Sequence, residues 1–475
     1  MQDIIIPMRY ANITDWVVKR LGRKAAIGLL LIGVASQLTA AETARSADTF
    51  VDSIGVNVKW KYPDTPYGYA YEKVKQKLLE SGIRHVRDSI GPRTIDTGKA
   101  GITTCIICEP DQGTPEAIRD SVKTINAGGR FIDFVEGPNE PDLFWVSYDK
   151  KYKGNGFMQG VMDFQKDLYK AFKSDPATAS IPVIGPSLGK TYGYETKSPF
   201  GKKTLTDFVD YGNFHPYPGG NPFTIHYSYA TIDWYMMNGN FPSGNIDESP
   251  YAFDVYAPPF APKPMIATET GYSNDQSGVT EAVHAKYMLR LFCEYFRKGI
   301  VRTYSHEFVD EFPDKEKQNR EANFGLLRHD LTPKPAYTAL KNLISVLAEK
   351  NMPKNFKPGT LDFTLMVSAQ PGFDRVQNVH HLLLQKSTGE FYLVLWHEIA
   401  NEDTSVMPHR QITPPDMPTT IIFGKDSVRS AVLYRPNETL AKSTNGMAGT
   451  AAAIKNNQIQ IAVPDRIIIL KLQTK

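Results

Sequence analysis

The chain has 475 residues, of which 22% are charged, 41% hydrophobic and 11% aromatic. This composition excludes an intrinsically disordered protein, and the length excludes a small scaffold that depends on cross-links. The 54 basic residues outnumber the 51 acidic ones, and the excess lies within residues 1–40. Because the rest of the chain carries equal numbers of each, its charge gives no reason to expect a nucleic-acid partner.

The N-terminus has the pattern of an export signal. A basic cluster at residues 19–24 precedes an apolar run at residues 25–34, and small residues follow. Since signal peptides are cleaved after small residues, we predict cleavage after Ala40 or Ala41. The apolar run is shorter than the roughly 20 residues of a membrane span, and a retained N-terminal anchor is the alternative. We therefore expect removal of residues 1–40 and a secreted or periplasmic protein with no membrane span.

Predicted strands alternate with predicted helices from residue 53 to about residue 310. This alternation is typical of parallel βα units. The predicted strands number eight within about 300 residues, which predicts a (β/α)8 TIM barrel over residues 41–350. A doubly wound sheet is the rival, but no glycine-rich phosphate turn follows the first strand. The eight predicted strands are residues 53–58, 83–88, 101–108, 131–135, 181–188, 208–215, 264–268 and 300–308.

Two other regions have a different texture. The stretch at residues 216–263 is rich in Pro, Gly and Tyr and is too long for a plain connection, so we expect a functional loop over the barrel mouth. After residue 350 the strand-like runs become short and closely spaced, which predicts a β-sandwich over residues 351–475. We expect this sandwich to pack on the barrel and stabilise it, and a carbohydrate-binding module is the alternative.

The three cysteines do not form a disulfide framework, because their number is odd. Cys105 and Cys108 lie in one predicted strand, where residues three apart point to opposite faces. Neither a helix N-terminus nor a second ligand pair accompanies them, so we expect buried thiols and no zinc or redox site. The sequence calls for no cofactor and no metal.

Polar residues follow two of the predicted strands at the point where each strand ends. Asn139 and Glu140 follow the fourth strand, and Glu269 follows the seventh. The carboxyl ends of barrel strands form the active site in this fold. Two carboxylates that face each other across one cleft suit glycoside hydrolysis, in which one is a neutral acid and the other an ionised nucleophile.

These residues resemble glycoside hydrolase clan A. The resemblance rests on NEP at residues 139–141, HPY at residues 215–217 and TETG at residues 268–271, which occur in order and at barrel spacing. A barrel followed by a sandwich is most similar to family 39, and family 5 is the other candidate. Many family 5 enzymes carry a Trp in strand eight, where this chain has YSHEF at residues 304–308.

The resemblance implies a role for each matching residue. It implies that Glu140 is the acid/base, that Glu269 is the nucleophile and that Asn139 hydrogen-bonds the sugar 2-hydroxyl. It also implies that His215 and Tyr217 lie beside the nucleophile.

Further polar residues are expected near the site. The resemblance implies that Arg87, at the end of the second strand, holds the nucleophile ionised, because a nearby cation lowers the pKa of a carboxylate. An interior ion pair is the alternative for Arg87. Glu136 is interpreted as structural support. For both His306 and Glu307, contact with the sugar and filling of the barrel interior remain alternatives.

Exposed aromatic side chains at the mouth are candidate sugar subsites, because sugar rings stack on aromatic faces. Trp60 lies just past the first strand and Trp145 lies five residues past Glu140. Trp234 and Tyr235 in the long loop come next, and ordinary packing is favoured for Tyr235.

Two functional classes follow from these residues. The first is a retaining glycosidase, or a transglycosylase using the same site, that cleaves O-glycosidic bonds of a polysaccharide or oligosaccharide by double displacement. The second is a catalytically silent barrel that binds polysaccharide. The presence of both acids favours the enzyme.

Overall fold

The computed structural model describes residues 40–189, 198–217, 256–403, 406–424, 428–438 and 447–474. All of them belong to one compact unit, residues 36–475. The predicted export signal lies outside the described residues apart from Ala40. Most of the predicted mouth loop, with Trp234 and Tyr235, also lies outside them.

Eight parallel strands form the barrel. Their order around the sheet is β7-β6-β5-β4-β3-β10-β9-β8, and Gly185 N donates to Tyr211 O at 3.0 Å to join the two ends. The predicted TIM barrel is therefore confirmed. In chain order after two short strands, β1 (Ala40–Thr43) and β2 (Arg45–Ser46), the barrel strands are β3 (Ile54–Asn57), β4 (His85–Ser89), β5 (Thr103–Ile107), β6 (Ile132–Glu136), β7 (Val183–Ile184), β8 (Gly212–Phe214), β9 (Met265–Thr270) and β10 (Thr303–Ser305).

Helices cover the outside of the barrel. Capping groups fix several ends: the Thr280 hydroxyl accepts from Val283 N at 3.3 Å, and Gly82 ends a helix with φ 80°. Within the described ranges the α-helices are α1 (Ala47–Asp52), α2 (Pro66–Tyr69), α3 (Tyr71–Ser81), α4 (Arg93–Lys99), α5 (Pro115–Asn126), α6 (Pro141–Ser147), α7 (Gln159–Ser174), α8 (Glu281–Arg297) and α9 (Pro335–Leu347). None of these is long and apolar enough to cross a membrane.

The barrel interior is filled by side chains. Cys105, Phe134, Ile184, Ile266 and Tyr304 form a buried cluster inside it. All three cysteines are buried free thiols, which confirms the prediction made for Cys105 and Cys108. The interior is therefore a packed core, and the polar site is confined to one end.

The C-terminal part is a β-sandwich, as predicted. Four antiparallel strands in the order β1-β11-β16-β19 face six strands in the order β18-β17-β20-β13-β12-β2. The remaining strands are β11 (Thr360–Val367), β12 (Val379–Gln385), β13 (Phe391–His397), β14 (Glu402–Asp403), β15 (Arg410–Gln411), β16 (Met417–Phe423), β17 (Val428–Tyr434), β18 (Thr450–Ala451), β19 (Gln458–Val463) and β20 (Ile468–Thr474).

The first described residues belong to the sandwich. β1 pairs antiparallel with β11, and β2 pairs parallel with β12. The sequence predicts a barrel from residue 41 onward, but the chain passes through both sandwich sheets before it enters β3. The partner strands of β1 and β2 lie more than 300 residues further along the chain. No local sequence pattern can indicate such a pairing, because a short edge strand fits either sheet.

A buried ion pair joins the barrel to the sandwich. Arg290 of α8 donates to both oxygens of Glu398, at 2.9 and 3.2 Å, and both side chains are fully buried. Trp396 Nε1 donates to the same carboxylate at 2.6 Å. Since a buried charge without a partner is costly, this contact restrains the sandwich on α8.

Candidate active site

A cavity of about 690 Å³ opens at the carboxyl ends of the barrel strands. The predicted pair Glu140 and Glu269 lies in it, together with Arg87, Asn139, His215 and Tyr217. Arg87 and Glu269 lie near the ends of β4 and β9, while Asn139 and Glu140 follow β6, and His215 and Tyr217 follow β8. The fold thus brings six of the predicted site residues into one cleft, because parallel barrel strands all end at the same face.

Glu140 sits at the turn between β6 and α6. Its backbone is left-handed, with φ 43° and ψ 52°, and Pro141 then begins α6. Such a conformation costs a non-glycine residue about 1–3 kcal/mol, and among the described non-glycine residues with positive φ Glu140 is the one that lines this cavity. The His215 Nδ1 lies 2.7 Å from Glu140 Oε1. At Gly189 a β-carbon would come within 2.7 Å of the Glu140 carboxyl carbon, so glycine leaves the space that this side chain occupies.

Glu269 is the last residue but one of β9 and has donors on both oxygens. Arg87 Nη1 donates to Oε2 at 2.9 Å and Asn57 Nδ2 to the same oxygen at 3.3 Å, while the Tyr217 hydroxyl donates to Oε1. Burial alone would raise the pKa of Glu269. The charges of His215, His306 and Arg87, together with the Tyr217 hydrogen bond, outweigh burial and hold this pKa well below its usual range. Glu269 is therefore a carboxylate at neutral pH.

Arg87 connects the two sides of the cleft. It is 3% exposed, and it binds Glu136 through Nε at 2.5 Å and Nη2 at 2.9 Å. Its Nη2 also donates to Asn139 Oδ1 at 2.6 Å. Both interpretations of Arg87 thus describe it, because one guanidinium makes an interior ion pair and also contacts Glu269. Glu136 accepts further hydrogen bonds from Asn213 and Thr268, which agrees with its interpretation as support.

The two glutamates lie close together. One carboxylate oxygen of Glu140, one of Glu269 and one ring nitrogen of His215 all lie within 4.8 Å of one another. A cation could bind at such spacing, but Arg87, Tyr217 and Thr268 already bind these groups. The three residues accordingly suit acid and base chemistry better than metal binding.

Three predicted site residues lie outside this cavity. Trp145 is 1% exposed, on the inner side of α6, and its Nε1 donates to Glu109 at 3.0 Å. It therefore cannot stack on a sugar, but through Glu109, which accepts from Asn139 N at 2.9 Å, it supports the cleft. Trp60 lines an adjacent cavity of about 450 Å³ and is nearly buried.

Glu307 is the third. It is fully buried against the Tyr67 hydroxyl, which donates to it at 3.1 Å, and burial raises the pKa of Glu307 to about 8. Its neighbour His306 lines the cavity in its place. Of the two strand-eight residues that sequence left undecided, Glu307 therefore fills the barrel and His306 faces the cleft.

Several cleft residues were not predicted. Tyr62 and Phe144 line the cavity with 51% and 39% of their surface exposed, and Asn57, Glu321 and Phe324 line it as well. Asn57 obeys the strand-end rule and could have been found by it. Phe144 lies four residues after Glu140, one helical turn along the same face, whereas Trp145 is rotated by about 100° toward the core.

Solved glycoside hydrolases share this fold. A GH39 enzyme from Xanthomonas axonopodis pv. citri is similar with a TM-score of 0.52 and 15% identity, over 91% of this chain and 95% of that chain. CelM2, a bifunctional glucanase-xylanase from a metagenome library, and AbfB, a family 51 alpha-L-arabinofuranosidase from Bifidobacterium longum, each have a TM-score of 0.52 and 11% identity, over 92% of this chain and 98% of theirs. No protein-family profile and no curated protein matches the chain. At these identities the similarity establishes the fold, and it confirms the resemblance to the family 39 architecture.

Proposed function

We propose that this protein is a retaining glycoside hydrolase that acts on a polysaccharide or oligosaccharide, with Glu269 as nucleophile and Glu140 as acid/base. The observation that carries the proposal is the spacing of the two carboxylates, whose nearest oxygens lie within 4.8 Å. Retaining enzymes have carboxyl groups about 5–5.5 Å apart, whereas inverting enzymes need about 6.5–9.5 Å to admit a water.

The first step joins the sugar to Glu269. A carboxylate oxygen of Glu269 forms a bond to the anomeric carbon while the bond to the leaving oxygen breaks, and Glu140 gives its proton to that oxygen. The contact of Glu269 with Arg87 and its low pKa support the role of nucleophile, because the attacking group must be ionised.

The second step releases the sugar. Glu140, now a carboxylate, takes a proton from a water that attacks the anomeric carbon from the side the leaving group vacated, and the bond to Glu269 breaks. Attack by a sugar hydroxyl in place of water would give transglycosylation on the same residues. Asn139 is suited to hydrogen-bond the 2-hydroxyl, since Arg87 fixes its amide from the other side.

The test begins with a panel of 4-nitrophenyl glycosides and plant and bacterial polysaccharides. The first product formed from any cleaved substrate should keep the anomeric configuration of that substrate, as followed by NMR. Glu269→Gln and Glu140→Gln should each lose at least about 10³-fold in kcat/KM on an unactivated glycan, while Glu116→Gln, exposed on α5, should match the wild type. Net inversion, or turnover that survives both active-site substitutions, would reject the assigned roles. Saccharide binding without any turnover would favour the silent binding barrel.

We also propose that the protein is exported, on the basis of the basic and apolar pattern in residues 19–34. The predicted cleavage lies at the beginning of β1, so loss of residues 1–40 would leave three of its four pairs with β11. N-terminal sequencing of exported material should begin near Ala41, and a cytoplasmic protein that keeps Met1 would contradict this.

A further inference from the structure

His306 takes no part in the bond making and proton transfers described above, yet it lies beside the nucleophile and its charge helps to keep the pKa of Glu269 low. It follows β10, lines the cavity and is 6% exposed. Its ring packs edge-on against Phe324, with centroids 5.1 Å apart, and against Tyr217, with centroids 6.4 Å apart. The two aromatic rings fix the direction in which its nitrogens point.

Both nitrogens of His306 face carboxylates. Nδ1 lies 3.9 Å from Glu269 Oε1, and Nε2 lies 3.8 Å from Glu321 Oε2. These are ion-pair distances, and neither nitrogen has a hydrogen-bond partner within the described part of the chain. At these distances neither form of the ring makes a hydrogen bond to the carboxylates, so the difference lies in charge: an imidazolium is attracted to both carboxylates, and a neutral imidazole is not.

The surrounding charges favour the protonated ring. The carboxylates of Glu269, from β9, and of Glu321, from the short 3₁₀ helix Arg320–Ala322, attract the protonated ring, while Lys59, which follows β3, repels it. Glu307, its neighbour in the chain, adds to the attraction only where it is itself ionised, above its own pKa of about 8. Burial would lower the pKa of His306. The carboxylates outweigh both burial and Lys59, so the pKa of His306 lies above the ordinary value of 6.5.

We propose that His306 is a positioning residue of this site, an imidazolium held between Glu269 and Glu321. The catalytic significance of this bridge rests on the proposed role of Glu269 as nucleophile. Each oxygen of Glu269 then faces one cation, Arg87 at Oε2 and His306 at Oε1. When Glu269 loses its charge in the covalent intermediate, Glu321 remains as the counter-ion and keeps the imidazolium in place.

The first test needs no substrate. The full chain, labelled with ¹⁵N-histidine, is titrated by NMR, and the His306 signals are assigned by their contacts with Phe324, so that assignment does not depend on a variant that must fold. We expect a midpoint above 6.5 in the wild type and lower midpoints in Glu321→Gln and Glu269→Gln, with the larger shift for Glu269, whose side chain is 16% exposed against 70% for Glu321. Glu316→Gln, an exposed carboxylate of the same connecting segment, should leave the midpoint unchanged.

Two results would overturn the bridge: a wild-type midpoint at or below 6.5, or an equal midpoint in the wild type and Glu321→Gln. Kinetics supply the second readout. Glu321→Gln should move the alkaline fall of kcat to lower pH with little change in KM, because His306 then loses its proton earlier; an unchanged profile would remove its role in turnover. If titration succeeds but Glu269 proves not to be the nucleophile, the ion bridge stands and the proposed function falls.

Discussion

Arg87 and Glu136 form a buried ion pair whose geometry also aims the arginine at the nucleophile. Two guanidinium nitrogens bind the Glu136 carboxylate, at 2.5 and 2.9 Å, and the third reaches Glu269 at 2.9 Å. Because a guanidinium is planar and rigid, pairing with Glu136 fixes where the remaining nitrogen points. A group that stabilises the barrel thereby also sets the charge of the proposed nucleophile.

Substitution of Arg87 should therefore affect stability and turnover together. Arg87→Met leaves Glu136 buried without its cation, and we expect a loss of about 3–5 kcal/mol in the free energy of unfolding, measured with urea. Arg84→Met is the matched control, because Arg84 pairs with Asp48 at a partly exposed position and should cost about 0–1 kcal/mol. Equal losses in the two variants would contradict the buried network.

Tyr217→Phe should distinguish the contribution of the Tyr217 hydroxyl from that of its aromatic ring. The substitution removes a donor to the ionised form of Glu269, so the pKa of Glu269 rises and the acid-side fall of kcat/KM begins at higher pH. We expect a loss of about 10²-fold in kcat near neutral pH. Tyr272→Phe is the control, since its buried hydroxyl has no hydrogen-bond partner among the described residues. A profile unchanged by Tyr217→Phe would show that the hydroxyl does not tune the nucleophile.

Phe144 and Trp145 are adjacent and should behave in opposite ways. Phe144→Ala removes an exposed ring from the cleft, so we expect KM for an oligosaccharide to rise about threefold to tenfold with the free energy of unfolding nearly unchanged. Trp145→Ala removes a buried ring and should cost about 3–5 kcal/mol of stability. Steady-state kinetics and thermal unfolding measure both effects, and the reverse pattern would show that α6 is rotated from the orientation described.

Substitution of Arg290 should show how much its ion pair with Glu398 stabilises the contact between the barrel and the sandwich. Arg290→Met leaves Glu398 charged and buried, and we expect about 3–5 kcal/mol less stability. The double variant Arg290→Met with Glu398→Met should recover most of that loss, because no charge then remains buried. Urea unfolding, followed by the intrinsic fluorescence of the chain's five tryptophans, measures these changes in stability. A double variant no more stable than the single one would mean that packing, rather than charge, joins the two parts.

Much of the candidate site follows from local sequence. Asn139, Glu140 and Glu269 follow from a simple rule, that polar residues matter where a buried strand pattern ends, and His215 and Tyr217 follow from the resemblance to clan A. The rule works because parallel strands alternate with helices, and every strand of a closed barrel ends at the same face. It also covers Asn57, the last residue of β3.

The rule fails where membership of the site depends on the direction of a side chain or on a partner that is distant in sequence. The sequence predicts that Trp145 stacks on a sugar, but the start of α6 decides which side chain faces the cleft. In the structure Phe144 faces the cleft, and Trp145, one residue further round the helix, faces the core. Glu321 lies in an irregular connection after β10, and nothing near it in sequence indicates that it faces His306.

The sequence by itself determined the eight-stranded barrel, the β-sandwich and the two glutamates, because hydrophobic periodicity and strand-end chemistry are written in neighbouring residues. Only the tertiary structure decided that β1 and β2 belong to the sandwich, that Arg87 serves Glu136 and Glu269 at once, and that His306 lies between two carboxylates. Those relationships join segments tens to hundreds of residues apart. Which of them form depends on packing and on the burial of charge, and neither has a local signature.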